Sequence, residues 1–140
     1  MSQENVDLIR TGYEHFRCTG QPQWELWDEE FVWDMSTFPG WPEKQTYHGR
    51  EGYTEFMDAW LSAWNEWDFE AVEFIDAGDE VVQVARQRGK AKAGGPGVEM
   101  VFAQVWTIRE GKVMQMRMYP SKAEALEAVG LSNQSGATEV

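Results

Sequence analysis

A chain of 140 residues with a net charge of −12 is expected to form one domain with a core of its own, and its acidity argues against nucleic acid and anionic membrane surfaces as partners. Its single cysteine, Cys18, excludes an internal disulfide. The N-terminus lacks the basic-then-apolar run of a secretion signal and no stretch nears the roughly 20 apolar residues of a membrane helix, so a reducing, cytoplasmic setting is expected.

In chain order, the first pattern is helical. Val6, Ile9, Tyr13 and Phe16 recur at helical spacing over residues 4–18, with Cys18 expected as a buried helix residue. Gly20 closes this helix, and Pro22 opens a short second one carrying Trp24 and Trp27 on its apolar side. EFVWDM alternates Phe31, Trp33 and Met35 against Val32 and Asp34, as a strand does. The proline- and glycine-bearing STFPGWPEKQ reads as a loop. A helix over about 50–65 follows, with Tyr53, Phe56, Met57, Trp60 and Trp64 as its apolar stripe. From residue 67 the period changes to two. One hairpin turns at Ala77-Gly78-Asp79, GGPG makes the next turn, and a second hairpin turns at Glu110-Gly111. A short helix over about 121–128 stops at Gly130. The domain is expected over 1–131, and the small, polar 132–140 as a disordered tail.

Helices grouped early and strands late give an α+β layout, with helices on one face of a curved antiparallel sheet. One face of the last hairpin carries Met100, Phe102, Gln104, Trp106 and Ile108, then Met114, Met116 and Met118. The other face of its first strand holds Val101, Ala103, Val105 and Thr107 and is also largely apolar. A sheet face exposed to water would be polar, so this second face needs a cover, and a second copy of the chain is the simplest one.

The eight tryptophans supply more ring surface than a minimal core requires, and spare ring surface goes to a pocket or an interface. The inward hairpin face and the stripe of the middle helix can meet as solid core or leave a cavity lined by rings and adaptable thioethers. Four polar residues, Tyr13, Asp34, Arg86 and Gln104, fall on or beside the inward lines. Buried there, they must pair with one another, with water or with a guest. Arg86 shares a strand face with Val82 and Val84. It either pairs with a carboxylate such as Glu73 or binds an anionic ligand. His15 and His48 have no ligand spacing, so no metal site is expected. GGPG is not followed by Lys-Ser/Thr, so it is no phosphate loop, and no cofactor is expected.

The stretches ENVDLIRTGYEHF, EFVWDM, YHGREGYTEFMDAW, VEFIDAGDEVVQVARQRGKA, VFAQVWTIREGKVMQMRMY and KAEALEAVGL resemble, in this order, the nuclear transport factor 2-like superfamily in its SnoaL-like polyketide cyclase branch, and run through to Leu131. The resemblance implies a cone-shaped (cystatin-like) α+β fold, dimerisation through the outer sheet face, and a cavity between sheet and helices. Ketosteroid isomerase is similar enough to carry roles over. Its oxyanion-binding tyrosine falls on Tyr13, its second oxyanion donor on Gln104, and its general-base aspartate on Met35, one residue after Asp34.

Two functions follow. The first is a cavity for a small hydrophobic, oxygen-bearing molecule, walled by Trp33, Met35, Phe56, Trp60, Phe102, Trp106, Met116 and Met118, with Tyr13, Arg86 and Gln104 as polar contacts. On this reading Asp34 and Tyr13 could act as base and oxyanion donor of an isomerase or aldol-cyclase that abstracts a proton next to a carbonyl. The second is a non-catalytic binding or dimerisation module.

Overall fold

The computed structural model describes residues 2–41, 43–92 and 94–131; the tail expected at 132–140 lies outside the described residues. Helix α1, Ser2–Thr19, ends where Gly20, at φ +79°, donates its N–H to the Phe16 carbonyl (2.7 Å). Cys18, near its C-terminal end, is exposed rather than buried. The short helix expected after Pro22 is a single 3₁₀ turn, Trp24–Leu26, and Trp27 already begins strand β1, Trp27–Asp34.

A three-residue strand β2, Thr46–His48, has no counterpart in the sequence reading; it is too short to show a period. Helix α2, Gly49–Leu61, buries Gly52, Tyr53, Phe56 and Trp60, and ends four residues earlier than the apolar stripe implied. Trp64 belongs instead to β3, Trp64–Ala77, where its ring lies against Gly89.

The meander continues with β4, Glu80–Ala91, β5, Gly97–Arg109, and β6, Lys112–Tyr119. Glu110 and Gly111, at φ 51° and 75°, close the last hairpin between paired Arg109 and Lys112, as expected of a two-residue turn that matches strand twist. A final helix α3, Lys122–Ala128, is capped by Ser121, whose hydroxyl accepts from the Glu124 N–H at 3.2 Å.

The strands form one curved, unclosed sheet in the order β2-β1-β6-β5-β4-β3. It is mixed rather than wholly antiparallel, because β1 runs parallel to β6. Register shifts in β3 and between β5 and β6 supply local bends. The second of these corrects the hairpin face. Trp106 pairs with Met116, but Ile108 pairs with Val113, so Val113 takes the inward position that strict alternation gives to Met114.

Helices α1 and α2 pack on one face of the sheet, over a core that includes Phe31, Trp33, Phe56, Phe102 and Met116. On the other face, α3 brings Ala125 and Leu126 onto Val82, Val84, Ala103, Val105 and Tyr119. Much of the second apolar face is therefore covered by the chain's own last helix. Val72 and Val101 remain exposed there.

Candidate functional site

The space between helices and sheet is solid at one end and hollow at the other. Phe38 and Trp41, from the loop after β1, pack against Trp60, and Trp41 also against Phe56, with ring centroids 5.2–6.1 Å apart. Under α1 the rings stand back and leave a cavity of about 100 Å³.

Helix α1 contributes Leu8, Ile9, Gly12, Tyr13 and Phe16 to its wall, and α2 contributes Tyr53, Phe56, Met57 and Trp60. From the sheet come Trp33, Trp67, Phe69, Phe102, Trp106, Val113 and Met118. The segment between α1 and β1 adds Pro22, Gln23, Leu26 and Trp27. Gly12 sits mid-helix, and a Cβ there would meet nothing within 4 Å, so part of the hollow exists because this residue has no side chain.

Three buried glutamines complete the lining, Gln83 and Gln87 on β4 and Gln104 on β5. The Gln83 Oε1 accepts from the Trp106 indole N–H at 3.0 Å. The Gln87 Oε1 accepts from two indoles, Trp60 at 2.5 Å and Trp67 at 2.7 Å. Gln83 lies directly across the strand pair from Gln104. Several polar atoms around the cavity are buried without a partner among the described residues: Gln104 Oε1, Gln87 Nε2, Trp33 Nε1 and Gln23 Oε1. Each such group is destabilising by about 1–3 kcal/mol unless water or a guest satisfies it.

Among the described residues, no carboxylate, imidazole, thiol or cation lines the cavity; the ionisable groups there are the phenols of Tyr13 and Tyr53. Burial pushes the Tyr53 phenol well above its ordinary value of 10.0, which keeps it a neutral hydrogen-bonding group. Among the described residues, no three His, Cys, Asp or Glu side chains come together as metal donors would.

Of the residues singled out from sequence, Tyr13, Trp33, Phe56, Trp60, Phe102, Gln104, Trp106 and Met118 line the cavity. Met35 and Met116 are fully buried in the same core but do not reach it.

Two assignments are corrected. Asp34 follows the inward Trp33 and so points to the opposite side of its strand. Its carboxylate caps the following turn by accepting from the Ser36 N–H at 2.8 Å. Arg86 lies on the outer sheet face with Val82 and Val84. It pairs there with Glu70 at 3.3 Å and Glu99 at 3.0 Å, while Glu73 pairs with Lys122.

Sequence reasoning missed Gln83, Gln87, Trp67 and Tyr53 as polar members of the site. A usable signal was present: each buried tryptophan carries an N–H that needs an acceptor, and the alternate positions of β4 supply one.

Residues 24–116 match the family model of the SnoaL-like domain. No curated protein matches the sequence at a significant level. Among solved structures, an NTF2-like protein of unknown function from Burkholderia pseudomallei is similar at 20% identity, with a TM-score of 0.69 over 90% of this chain and 97% of that one. TerC, co-crystallised with polyporic acid, is similar at 22% identity and a TM-score of 0.68 over 89% and 97%. A putative SnoaL-like polyketide cyclase from Jannaschia is similar at 18% identity and 0.67 over 91% and 92%.

Proposed function

The chain belongs to the SnoaL-like domain family, and from that premise we propose that residues 1–131 form one domain whose cavity binds a small, uncharged aromatic molecule bearing a hydrogen-bonding oxygen, without carrying out chemistry on it. The observation that carries this reading is the combination of a hollow walled by rings with buried, unpartnered polar atoms and no charged group. Rings and thioethers offer apolar contact, and the amides and indole N–H offer orientation.

At about 100 Å³ the hollow is smaller than the engineered cavity of about 150 Å³ that takes up benzene, so a one-ring guest enters with adjustment of the adaptable side chains that line it, Met57 and Met118 among them. TerC, on a similar scaffold, was co-crystallised with polyporic acid, which supports a ligand-binding role for such a fold. Proton abstraction next to a carbonyl has less support. Such a step needs a base within hydrogen-bond reach of the substrate, and Asp34 is turned away while nothing else in the lining can serve at neutral pH.

Calorimetric titration tests this with two one-ring probes, acetophenone and benzoate. Saturable one-to-one binding of acetophenone, with none of benzoate at the same concentrations, is expected. Equal binding of both, or no binding of acetophenone, overturns the proposal.

A second copy of the chain is the partner we assign to the uncovered part of the outer sheet face, where Val72 and Val101 stand beside the Arg86 ion pairs. Light scattering on eluting protein checks it: wild type should run as a dimer and Val101→Asp as a monomer. We place the protein in the cytoplasm, where its exposed Cys18 stays reduced.

A further inference from the structure

We infer that Gln87 is the specificity-determining residue of the cavity, and that it selects ligands carrying a neutral carbonyl-type acceptor; this deepens, and rests on, the ligand-binding reading above. Gln87 is 1% exposed and lies at mid-sheet on β4. Its amide oxygen is held from two sides, by the Trp60 indole of α2 at 2.5 Å and the Trp67 indole of β3 at 2.7 Å. An indole nitrogen only donates. The amide therefore cannot be turned over without setting its own N–H groups against both indoles, and its polarity is fixed by chemistry.

The consequence falls on the other end of the amide. With Oε1 committed, Nε2 keeps two N–H donors, and this atom is buried with no partner among the described residues. The residue lines the cavity, so the cavity is where an acceptor can come from. Gln104 differs: its Oε1 has no partner and no indole donates to it, so either end of that amide can face a guest. Gln87 thus reads acceptors, whereas Gln104 tolerates either kind of group.

The absence of charge narrows the acceptor further. A carboxylate also accepts hydrogen bonds, but it would shed its hydration into a cavity with no cation. Arg86 is on the far face and already paired, and Arg17, whose Nη1 donates to the Tyr13 hydroxyl at 3.5 Å, is already committed to the Phe69 carbonyl and Asp68. A neutral carbonyl oxygen has no such penalty.

The test compares acetophenone with ethylbenzene, which replaces the carbonyl by a methylene in a molecule of nearly the same shape. Affinities are measured by calorimetry for wild type and Gln87→Glu. That variant keeps oxygens for both indoles and loses the N–H donors; it is measured at pH 9, where its carboxyl, facing two indole donors, is ionised and has no proton to donate. Wild type should bind acetophenone about tenfold more tightly than ethylbenzene. In Gln87→Glu the preference should fall to within about twofold, through loss of acetophenone affinity.

A second readout does not depend on the variant folding. The side-chain amide resonances of Gln87 in the wild-type protein should shift with acetophenone and stay in place with ethylbenzene. If wild type binds both probes alike, or the variant keeps the preference, or the amide resonances do not move with acetophenone, the inference is wrong while the ligand-binding reading stands. If wild type binds neither probe, both fall together.

Discussion

Gly12 offers the sharpest lever on the cavity. Glycine in a helix interior is about 1 kcal/mol less favourable than alanine, and at this position a Cβ would meet nothing within 4 Å. Gly12→Ala should therefore stabilise the protein by about 0.5–1 kcal/mol, a rise in melting temperature of about 2–5 °C for a chain of this size. Gly12→Leu should keep that backbone gain and add apolar burial as its side chain enters the hollow; full burial of a leucine is worth about 1.5–3 kcal/mol, and a half-covered site less. The same side chain should take the guest's place and lower acetophenone affinity more than about tenfold. Urea unfolding gives the stabilities and calorimetry gives the affinities. A loss of more than about 1 kcal/mol in Gly12→Ala would mean that the space is not there. Unchanged acetophenone binding in Gly12→Leu would mean that the guest sits elsewhere.

The remaining predictions concern groups whose environments differ from that of Gly12. Gly52 is also helical, but a Cβ there would come within 2.8 Å of the Tyr47 backbone; Gly52→Ala should cost about 1–3 kcal/mol in urea unfolding, the opposite sign to Gly12→Ala. Tyr53 has a folded pKa raised by burial above its ordinary 10.0, so its contribution is intact below pH 10 and is lost as pH climbs above it, where the unfolded chain ionises first. Unfolding free energy should fall by about 1 kcal/mol per pH unit more steeply between pH 10 and 11 in wild type than in Tyr53→Phe. Asp34→Asn keeps the oxygen that caps the turn and should change stability by under about 0.5 kcal/mol, with acetophenone affinity unaltered in calorimetry. Arg86→Ala removes ion pairs that are half-exposed; it should cost about 1 kcal/mol in urea unfolding and leave cavity binding intact.

Period and turn chemistry carried most of the architecture. The two hairpins at Gly78-Asp79 and Glu110-Gly111 were legible because side chains alternate on either side of residues suited to left-handed backbone. The end of α2 was not, because Trp64 follows Trp60 at helical spacing, and only its approach to Gly89 places it on a strand. Met114 and Val113 exchanged places because a one-residue bulge reverses facing and leaves no mark in composition.

The polar half of the site was hidden for a different reason. On β4, Val82 and Val84 resemble a core face and Gln83 and Gln87 a wet one. Here the valines lie under α3, a helix beyond the reach of local periodicity, and the glutamines turn inward to receive indole N–H groups. Sequence alternation fixes which residues share a face, but which face is buried depends on elements far along the chain. Arg86 was misplaced by the same ambiguity. Asp34 shows the converse: its parity alone put it opposite Trp33, and the structure has no bulge that turns it in.

A crystal structure of the unliganded protein, at a resolution that shows ordered water, meets the central claim most directly. Density for water or a captured small molecule within hydrogen-bond distance of Gln87 Nε2 and Gln104 Oε1, beneath an α1 that stands clear at Gly12, is the expected result. Rings and thioethers closed over that volume, with both amides bonded to protein, would contradict it.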